Sequence, residues 1–328
     1  MKCLVTGGAG FIGSHLARAL LHQGHEVKIL DNFSTGKREN IEDLPVEVFE
    51  MDVRDTSGVR RAIRGMDNVF HLAALASVSR SINDPLMTHA VNESGTLVVM
   101  DASHRADVKR VVYAGSSSAY GNSTSLPKQE GAKPAPASPY AVSKLTGEYY
   151  CRVYWETFGL ETACVRYFNV FGPHQDPDSE YAAVIPRFIQ AAVNSRRPVI
   201  YGDGTQSRDF TYVQNAVTAT ILAATASKAV GEVINVACGE RRSLLNVIEM
   251  LEDMLGDRIA PVFEASRLGD VKHSQADISK ARELLNFSPE VGFKEGLHET
   301  LEWFRNRHAE EQYQPKYSEK NRDLGLSG

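Results

Sequence analysis

Thr6-Gly7-Gly8-Ala9-Gly10-Phe11-Ile12-Gly13 follows directly on the short apolar run Lys2–Thr6. This glycine spacing predicts a tight strand-to-helix turn, because Gly7 permits the turn and Gly10 lets a ligand approach the backbone. Gly13 would let the helix pack closely on the strand. The helix N-terminus would then offer N–H groups to a pyrophosphate. A glycine cluster alone also fits a plain turn, so its surroundings decide the interpretation.

Those surroundings predict a βαβ unit. Apolar residues from Phe11 to Leu20 recur at helical spacing, and Gly24 is placed to end the helix. Further short apolar runs alternate with helical stretches, which is typical of a parallel sheet. The predicted strands are Lys2–Thr6, Val27–Leu30, Val46–Met51, Val69–Leu72, Val111–Gly115 and Thr162–Arg166. We therefore predict an α/β fold with a Rossmann-type doubly wound parallel sheet.

The pattern loosens after about residue 172, where prolines interrupt short helices. We predict that residues 1–171 form the dinucleotide-binding domain and that residues 172–328 form mainly a smaller C-terminal α/β lobe for the substrate. The buried strand pattern near 232–238 indicates one strand that returns to the first sheet. Residues 243–255 and 279–286 fit amphipathic helices, and the polar tail 309–328 is expected to fray.

Composition narrows the classes of partner. The 328 residues are 42% hydrophobic, with a formal net charge of -5 and a pI near 6.1, so nothing favours binding to nucleic acid or to an anionic membrane. No run of 18 apolar residues and no signal peptide is apparent, which predicts a cytoplasmic protein. Cys3, Cys151, Cys164 and Cys238 lack metal-site spacing, so we expect buried thiols and no metal.

Asp31 ends the second predicted strand, about 20 residues after the glycine turn. A carboxylate there can accept hydrogen bonds from both ribose hydroxyls and would repel a 2′-phosphate, which favours NAD over NADP. Lys37 and Arg38 lie near enough in sequence to leave NADP open. Asp52-Val53 could flank an adenine ring, and Ala73-Ala74-Leu75 leave room for the cofactor, although both segments also fit ordinary loop packing.

Tyr140 and Lys144 stand four residues apart on a helix that Ser138 and Pro139 are placed to begin. A tyrosine is a poor base at neutral pH, but a nearby ammonium and a positive nicotinamide ring would stabilise its phenolate. The fifth strand ends in Ser116-Ser117-Ser118, whose hydroxyls could bridge a substrate oxygen and the phenol. A solvated helix face and a serine turn are the alternatives for these two motifs.

Together these residues resemble the nucleotide-sugar epimerases and dehydratases of the extended short-chain dehydrogenase/reductase superfamily. The resemblance spans nearly the whole chain. Its motifs are Thr6–Gly13, Asn92 with Gly95-Thr96, Ser116, Tyr140 with Lys144, Arg166-Tyr167-Phe168-Asn169 and Arg208-Asp209-Phe210. Within this superfamily the chain is most similar to the UDP-glucose and UDP-N-acetylglucosamine 4-epimerases.

The resemblance and the strand-end positions together predict the site residues. The cofactor residues are Gly7, Gly10, Phe11, Ile12, Gly13, Asp31, Asn32, Ser34, Thr35, Gly36, Asp52, Val53, Leu72, Ala73, Ala74, Ala76, Asn92, Tyr140, Lys144 and Tyr167. The substrate residues are Ser116, Ser117, Ser118, Tyr140, Asn169, Ala183, Val184, Tyr201, Arg208, Arg267, Asp270 and Ser274. Ser116, Tyr140 and Lys144 are the predicted catalytic residues.

The implied reaction is 4-epimerisation of a UDP-hexose. Tyr140 would take the proton of the 4-hydroxyl, Ser116 would relay it, and Lys144 would hold the cofactor ribose and lower the Tyr140 pKa. The C4 hydride would pass to NAD and return to the other face of a transient 4-keto sugar. Dehydratases and decarboxylases of this family carry acids near the serine position, where this chain has Ser117 and Ser118.

The resemblance also bears on the sugar. Arg208 would bind the diphosphate, and Arg267 with Asp270 resembles the family's Arg-x-Gly-Asp substrate clamp, although each arginine could instead form a surface ion pair. Ser274 stands where glucose-restricted relatives carry a tyrosine, so space for an acetamido group favours UDP-GlcNAc and UDP-GalNAc, with UDP-Glc and UDP-Gal also accepted. The loop His174-Gln175-Asp176 lacks the arginine of UDP-glucuronate epimerases.

Alternatives remain open from the sequence. They are a UDP-glucuronate 4-epimerase, a 4,6-dehydratase, a reductase with exchangeable NAD(H), and an NAD-sensing protein without catalysis. Family members usually dimerise through the helices near Pro85–Ser103 and Pro139–Phe158, so a homodimer is expected.

Overall fold

The computed structural model describes residues 1–177, 183–266 and 271–313. Its strands are, in chain order, β1 (Lys2–Thr6), β2 (Glu26–Asp31), β3 (Glu47–Glu50), β4 (Asn68–His71), β5 (Arg110–Ser116), β6 (Glu161–Tyr167), β7 (Val170–Phe171), β8 (Val199–Tyr201), β9 (Ser207–Arg208), β10 (Thr211–Tyr212), β11 (Val233–Val236), β12 (Arg242–Ser243) and β13 (Val262–Glu264). Its α-helices are α1 (Phe11–His22), α2 (Thr56–Ile63), α3 (Val78–Asn83), α4 (Pro85–His89), α5 (Gly95–Arg105), α6 (Pro139–Phe158), α7 (Val184–Val193), α8 (Val213–Thr225), α9 (Leu244–Leu255), α10 (Ser279–Leu285) and α11 (Phe293–Tyr313).

A seven-stranded sheet in the order β3-β2-β1-β4-β5-β6-β11 forms the centre of the structure. Every neighbouring pair is parallel. The predicted doubly wound sheet is confirmed, and each predicted strand lies within one residue of its observed bounds. The strand near 232–238 returns as β11 and pairs with β6.

Helices cover both faces of this sheet. One face packs against α1 and α8, and the other packs against α2, α5 and α6. Apolar strand residues such as Val5 and Leu4, which point to opposite faces, belong to two separate buried clusters. Because both faces are covered, the central strands β1, β4, β5 and β6 are buried along almost their whole length.

The strand order reverses between β1 and β4, which are neighbours although β2 and β3 lie between them in the chain. At such a reversal the loops after the two strands diverge to opposite sides and leave a crevice at the carboxyl edge. The crevice lies at the turn Gly7–Gly10 on one side and at the loop after His71 on the other. This is where a ligand is expected in a sheet of this kind.

The second half of the chain adds three two-stranded sheets, β7–β10, β8–β13 and β9–β12. The helices predicted over 243–255 and 279–286 correspond to α9 and α10. The division at 171/172 stays a prediction. Across this division, β7, which ends at Phe171, pairs with β10 of the second half. None of the described helices is long and apolar enough to cross a membrane.

The expectation of a fraying tail from residue 309 was wrong for its first residues, because α11 continues to Tyr313. Leu297, Leu301 and Phe304 of this helix are buried against the core. The residues from there to Tyr313 include neither proline nor glycine, so nothing ends the helix earlier. Residues 314–328 lie outside the described residues. All four cysteines are free thiols; Cys3, Cys151 and Cys164 are buried, and Cys238 is partly buried.

Candidate active site

A cavity of about 910 Å³ runs along the carboxyl ends of the parallel strands. It reaches from the end of β2 across the reversal point to the end of β5, the start of α6 and the second lobe. The predicted site residues that line it are Gly7, Gly10, Phe11, Ile12, Gly13, Asp31, Asn32, Ser34, Thr35, Val53, Leu72, Ala73, Ala74, Ala76, Ser116, Ser117, Ser118, Tyr140, Lys144, Tyr167, Asn169, Arg208 and Ser274. The fold therefore gathers distant parts of the sequence into one site.

A second cavity of about 240 Å³ shares Asn169 and Arg208 with the first and continues into the second lobe. The predicted substrate residues Ala183, Val184 and Tyr201 line this second cavity. Gly36, Asp52 and Asn92 line neither cavity, and Arg267 and Asp270 lie outside the described residues. The predicted substrate residues thus divide between two connected spaces.

The glycine turn brings three segments into close approach. Gly7 has φ +72°, and a Cβ there would lie 2.7 Å from the backbone N of Ala73. A Cβ on Gly13 would lie 2.1 Å from the Gly7 carbonyl oxygen. Gly10 precedes α1 without a side-chain cap, so the first N–H groups of the helix face the cavity and can bind an anion. This geometry fits a pyrophosphate group.

Asp31 ends β2 with its carboxylate held in place by two backbone donors. Ala9 donates to Oδ2 at 2.9 Å and Phe33 donates to Oδ1 at 2.8 Å. Burial raises the Asp31 pKa, and these two hydrogen bonds lower it again in part. A fixed carboxylate at the cavity wall fits a ribose diol.

The cations near Asp31 are engaged elsewhere. Lys37 lies 3.4 Å from Asp176, and the Arg38 guanidinium stacks 4.2 Å from the centre of the Phe33 ring and pairs with Glu50. Neither side chain lines the cavity. The two residues that left NADP open therefore do not present a cation to a 2′-phosphate in this structure.

Asp52 faces away from the cavity and supports its rim. Arg54 donates to both of its carboxylate oxygens, and Asn32 Nδ2 donates to Oδ2 at 2.9 Å. The hydrogen bond from Arg54 is the main cause of the lowered pKa of Asp52. The neighbouring Val53 lines the cavity, as does Met51, which the sequence interpretation did not single out.

Buried polar residues hold the loop that follows β4. Asn92 Oδ1 accepts from Leu75 N at 2.7 Å, and Asn92 Nδ2 donates to Leu75 O and to Ser143 Oγ. This side chain is fully buried and lies behind the loop, so it supports the cavity wall between β4 and α6. The structure places Asn92 as a positioning residue.

His71 is a second support that the sequence interpretation missed. Its Nδ1 lies 2.7 Å from Thr6 Oγ1 and its Nε2 lies 3.0 Å from Thr96 Oγ1. Burial lowers the His71 pKa to about 3, so the ring is neutral at physiological pH. Only the pairing of β1 with β4 reveals the contact with Thr6.

Ser116 and Tyr140 meet at the end of β5. As predicted, α6 begins at Pro139, and Ser138 Oγ accepts from Ala141 N at 3.1 Å. This start places Tyr140 in the first turn, where the Ser116 hydroxyl is near enough to the phenol to lower its pKa. Ser116 Oγ also accepts from Ser118 Oγ at 2.9 Å. A phenol and two serine hydroxyls therefore lie together at the cavity wall.

Lys144 is buried one turn further along α6. Its Nζ donates to Ala114 O at 2.9 Å and lies 5.1 Å from the centre of the Tyr113 ring. Burial lowers the Lys144 pKa to about 8, against a smaller opposing effect of Glu148. Burial also raises the Tyr140 pKa, and only the Ser116 hydrogen bond opposes this. The protein alone therefore does not produce the predicted lowering of the Tyr140 pKa by Lys144.

Arg208 and Ser274 reach the cavity from the second lobe. Arg208 Nη1 donates to Ser207 O and Lys272 O. The neighbouring Asp209 is buried and accepts from Cys238 N, Gly239 N and Ala276 N. Burial raises the Asp209 pKa to about 7 despite these donors. This carboxyl group holds two loops, at Cys238-Gly239 and at Ala276, next to Arg208.

Tyr167 and Lys128 also line the cavity. The Tyr167 hydroxyl lies 2.6 Å from Thr220 Oγ1 and is directed to α8, while the residue still lines the cavity. Lys128 was not predicted as a site residue, because no local pattern marks it. Only its pairing with Ala276 places it at the cavity.

Comparison with known proteins agrees with this geometry. The model of the NAD dependent epimerase/dehydratase family matches residues 3–237. The UDP-glucose 4-epimerase of Mycolicibacterium smegmatis is 37% identical over 314 residues, which cover 94% of this chain and 99% of the relative.

Two solved structures are similar over nearly their full length. The UDP-N-acetylglucosamine 4-epimerase from Methanobrevibacter ruminantium, in complex with UDP-N-acetylmuramic acid, has a TM-score of 0.89 and 41% identity, covering 93% of this chain and 98% of its own. The UDP-glucuronic acid 4-epimerase from Bacillus cereus, in complex with UDP-glucuronic acid and NAD, has a TM-score of 0.88 and 36% identity, covering 94% and 100%. This chain therefore belongs to the NAD dependent epimerase/dehydratase family and, within it, to the UDP-sugar 4-epimerases of the extended short-chain dehydrogenase/reductase superfamily.

Proposed function

We propose that this protein is an NAD-dependent UDP-hexose 4-epimerase that acts on UDP-GlcNAc and UDP-GalNAc, and also on UDP-Glc and UDP-Gal. The observation that carries the proposal is that Ser116, Tyr140 and Lys144 line one cavity together with the glycine turn. A base at this position can deprotonate a sugar hydroxyl beside a dinucleotide.

The cofactor is NAD, and the residues present fit it. The uncapped start of α1 would bind the pyrophosphate, and Asp31 would accept the adenosine ribose hydroxyls. When bound, NAD would supply the hydride acceptor and, after the sugar has rotated, the hydride donor. Lys144 would donate to the second ribose, and two of its three protons remain for this because Ala114 O accepts one.

Tyr140 would accept the proton of the sugar 4-hydroxyl and return it to the epimer. Ser116 would relay or steady that proton through its hydrogen bond with the phenol. Because burial raises the Tyr140 pKa, the phenolate needs positive charge nearby in the loaded enzyme. The ammonium of Lys144 is the nearby protein group on the same helix face.

The lining also favours epimerisation over elimination of water. Among the described residues of the cavity wall, Asp31 is the only carboxylate, and it lies at the end of β2, away from Tyr140. Ser117 and Ser118 occupy the positions next to Ser116. A 4,6-dehydratase would need an acid there to protonate the leaving hydroxyl.

We further propose that Arg208 and Asn169 bind the nucleotide end of the substrate, where the two cavities join. A guanidinium matches phosphate oxygens in charge and geometry. The proposal for N-acetylated sugars depends on Ser274, whose small side chain leaves room at the wall. Arg267 and Asp270 remain predicted substrate-binding residues.

Product analysis tests this function directly. Purified protein is incubated with UDP-GlcNAc, UDP-Glc or UDP-glucuronic acid, and the products are separated by chromatography with and without added NAD(H). We expect the matching 4-epimer to form without net consumption of NAD. A 4-keto-6-deoxy product, or turnover only with added NADH, would identify one of the alternatives instead.

Tyr140→Phe is the decisive variant. Loss of the phenol should lower kcat for epimerisation by about 10²- to 10⁴-fold, because general acid–base groups contribute on that scale. Tyr149→Phe, an exposed tyrosine of the same helix, is the control. Full activity of Tyr140→Phe would remove the catalytic assignment.

Assembly and location remain proposals. We propose a homodimer through α5 and α6, because Val142, Tyr149 and Val153 of α6 and Leu97 of α5 are exposed apolar residues. The first three lie on one face of α6 at helical spacing. We also propose that the protein works in the cytoplasm.

A further inference from the structure

Lys128 occupies an unusual position beside the catalytic residues. It belongs to the connection between β5 and α6, and its backbone N donates to Gln275 O at 2.7 Å. Asp277 N in turn donates to Lys128 O at 2.8 Å. These bonds fix Lys128 next to Ser274, and both residues line the large cavity.

The ammonium of Lys128 is buried without an acid. The residue is only 3% exposed, and its Nζ donates to Ser123 O. No carboxylate of the described residues lies within 4.0 Å of it, and burial lowers its pKa. A lysine has three donors, so two protons of a buried cation are left for a ligand.

For comparison, two other buried cations of the described residues each pair with a carboxylate. Arg110 pairs with Glu161 at 2.7 Å and Arg166 pairs with Glu148 at 2.6 Å. The two buried cations without a carboxylate inside 4.0 Å, Lys128 and Lys144, both line the cavity. Buried charges are normally paired, and Lys144 has its place in the proposed chemistry. Lys128 has none in that reaction.

The place of Lys128 indicates which part of a ligand it meets. Its partner Ser123 follows the short 3-10 turn Ser117–Tyr120, which carries Ser118. Arg208, the residue assigned to the diphosphate, enters the cavity from β9 in the second lobe instead. Lys128 therefore lies between the turn that carries Ser118 and the segment of Ser274, and that segment is itself hydrogen-bonded to Ser207, the neighbour of Arg208.

We propose that Lys128 is a specificity residue that binds a carboxylate carried by the hexose of a UDP-sugar, so that the site takes carboxylated UDP-hexoses as well as neutral ones. The proposal rests on the UDP-hexose function proposed above. A carboxylate can be part of the sugar, at C6 of a uronic acid, or can be attached as an ether at C3. The ammonium would supply the cation that the loop His174-Gln175-Asp176 lacks.

Binding measurements on the NAD-loaded protein test this. Calorimetry gives Kd for UDP-glucuronic acid, UDP-N-acetylmuramic acid and UDP-GlcNAc with the wild type, Lys128→Met and Lys128→Arg. We expect Lys128→Met to weaken at least one carboxylated ligand about 10- to 100-fold more than UDP-GlcNAc, the loss typical of a charge-assisted hydrogen bond. Lys128→Arg should restore most of that loss. The acid that responds shows whether the C6 or the C3 carboxylate is bound.

Lys133→Met is the matched control, since Lys133 is an exposed lysine of the same connection. It should leave all three affinities unchanged. Equal weakening of all three ligands by Lys128→Met, or wild-type binding of UDP-GlcNAc but of neither acid, would overturn the role of Lys128 and leave the epimerase function intact. Failure of the wild type to bind or epimerise any of the three would overturn both proposals.

Discussion

Tyr140 opens onto the cavity from a partly buried position, and Lys144 is buried behind it. Burial disfavours the charged form of both side chains, which raises the Tyr140 pKa and lowers the Lys144 pKa. The identities of these residues follow from their spacing in the sequence. Their electrostatics do not, because burial depends on the strands and loops that surround the start of α6.

His71 makes stability sensitive to pH. Its pKa is about 3 in the folded protein and about 6.5 in an unfolded chain. The contribution of neutral His71 to the free energy of unfolding is therefore fully present above pH 6.5 and is lost as pH falls towards 3. In that range the histidine is protonated in the unfolded chain but not in the folded protein. In that range one such group makes the free energy of unfolding fall by about 1.4 kcal/mol per pH unit.

Urea unfolding between pH 7 and pH 4.5 checks this. His71→Gln should show a smaller decline in the free energy of unfolding than the wild type, while His22→Gln, an exposed histidine at the end of α1, should decline in parallel with it. Identical slopes for His71→Gln and wild type would contradict a neutral, buried His71.

At the scale of elements, the close packing of α1 on the turn after β1 depends on the absence of a side chain at Gly13. An alanine inside a helix is normally more favourable than glycine by about 1 kcal/mol. At Gly13 the new Cβ would lie 2.1 Å from the Gly7 carbonyl, so the backbone would have to move. We expect Gly13→Ala to lower the free energy of unfolding by about 1–3 kcal/mol and to weaken NAD binding.

Chemical unfolding and NAD titration measure both effects. Gly131→Ala is the control, because nothing lies within 4 Å of a Cβ at that position. A Gly13→Ala protein as stable as the wild type, with unchanged NAD affinity, would contradict the close approach of helix and strand.

Elements of the central sheet could be predicted because each is a continuous apolar run with its own turn signals. The pairs β7–β10, β8–β13 and β9–β12 could not, since they join strands of two or three residues that are distant in sequence. The same limit explains why Lys128 was missed. Its position depends on a contact with Ala276, and neither residue lies in a recognisable motif.

At the scale of the whole molecule, the exposed apolar face of α6 predicts a dimer. Val153→Glu would place a charge in the centre of that face. Burying this unpaired charge in the interface would cost more free energy than association supplies. Sedimentation velocity at micromolar concentration should find the wild type as a dimer and Val153→Glu as a monomer. Phe263→Glu, an exposed aromatic of β13, should remain a dimer. A monomeric wild type would exclude the proposed assembly.

The site could be predicted at its first-half positions, because the glycine turn follows β1, Asp31 ends β2, and Tyr140 and Lys144 stand four residues apart at the start of α6. The second-lobe residues came from the family resemblance. Ala183, Val184 and Tyr201 lie in a cavity of their own, which no pattern in the sequence separates from the larger one.

The return of β11 to the edge beside β6 has a consequence for biosynthesis. Until residue 236 has left the ribosome, the growing sheet ends in an open strand whose backbone N–H and C=O groups can pair with another chain. Folding of the nucleotide-binding half therefore cannot finish before residues 172–236 of the second lobe have been translated. A chain truncated near residue 171 would keep β6 as an unpaired edge strand and should aggregate.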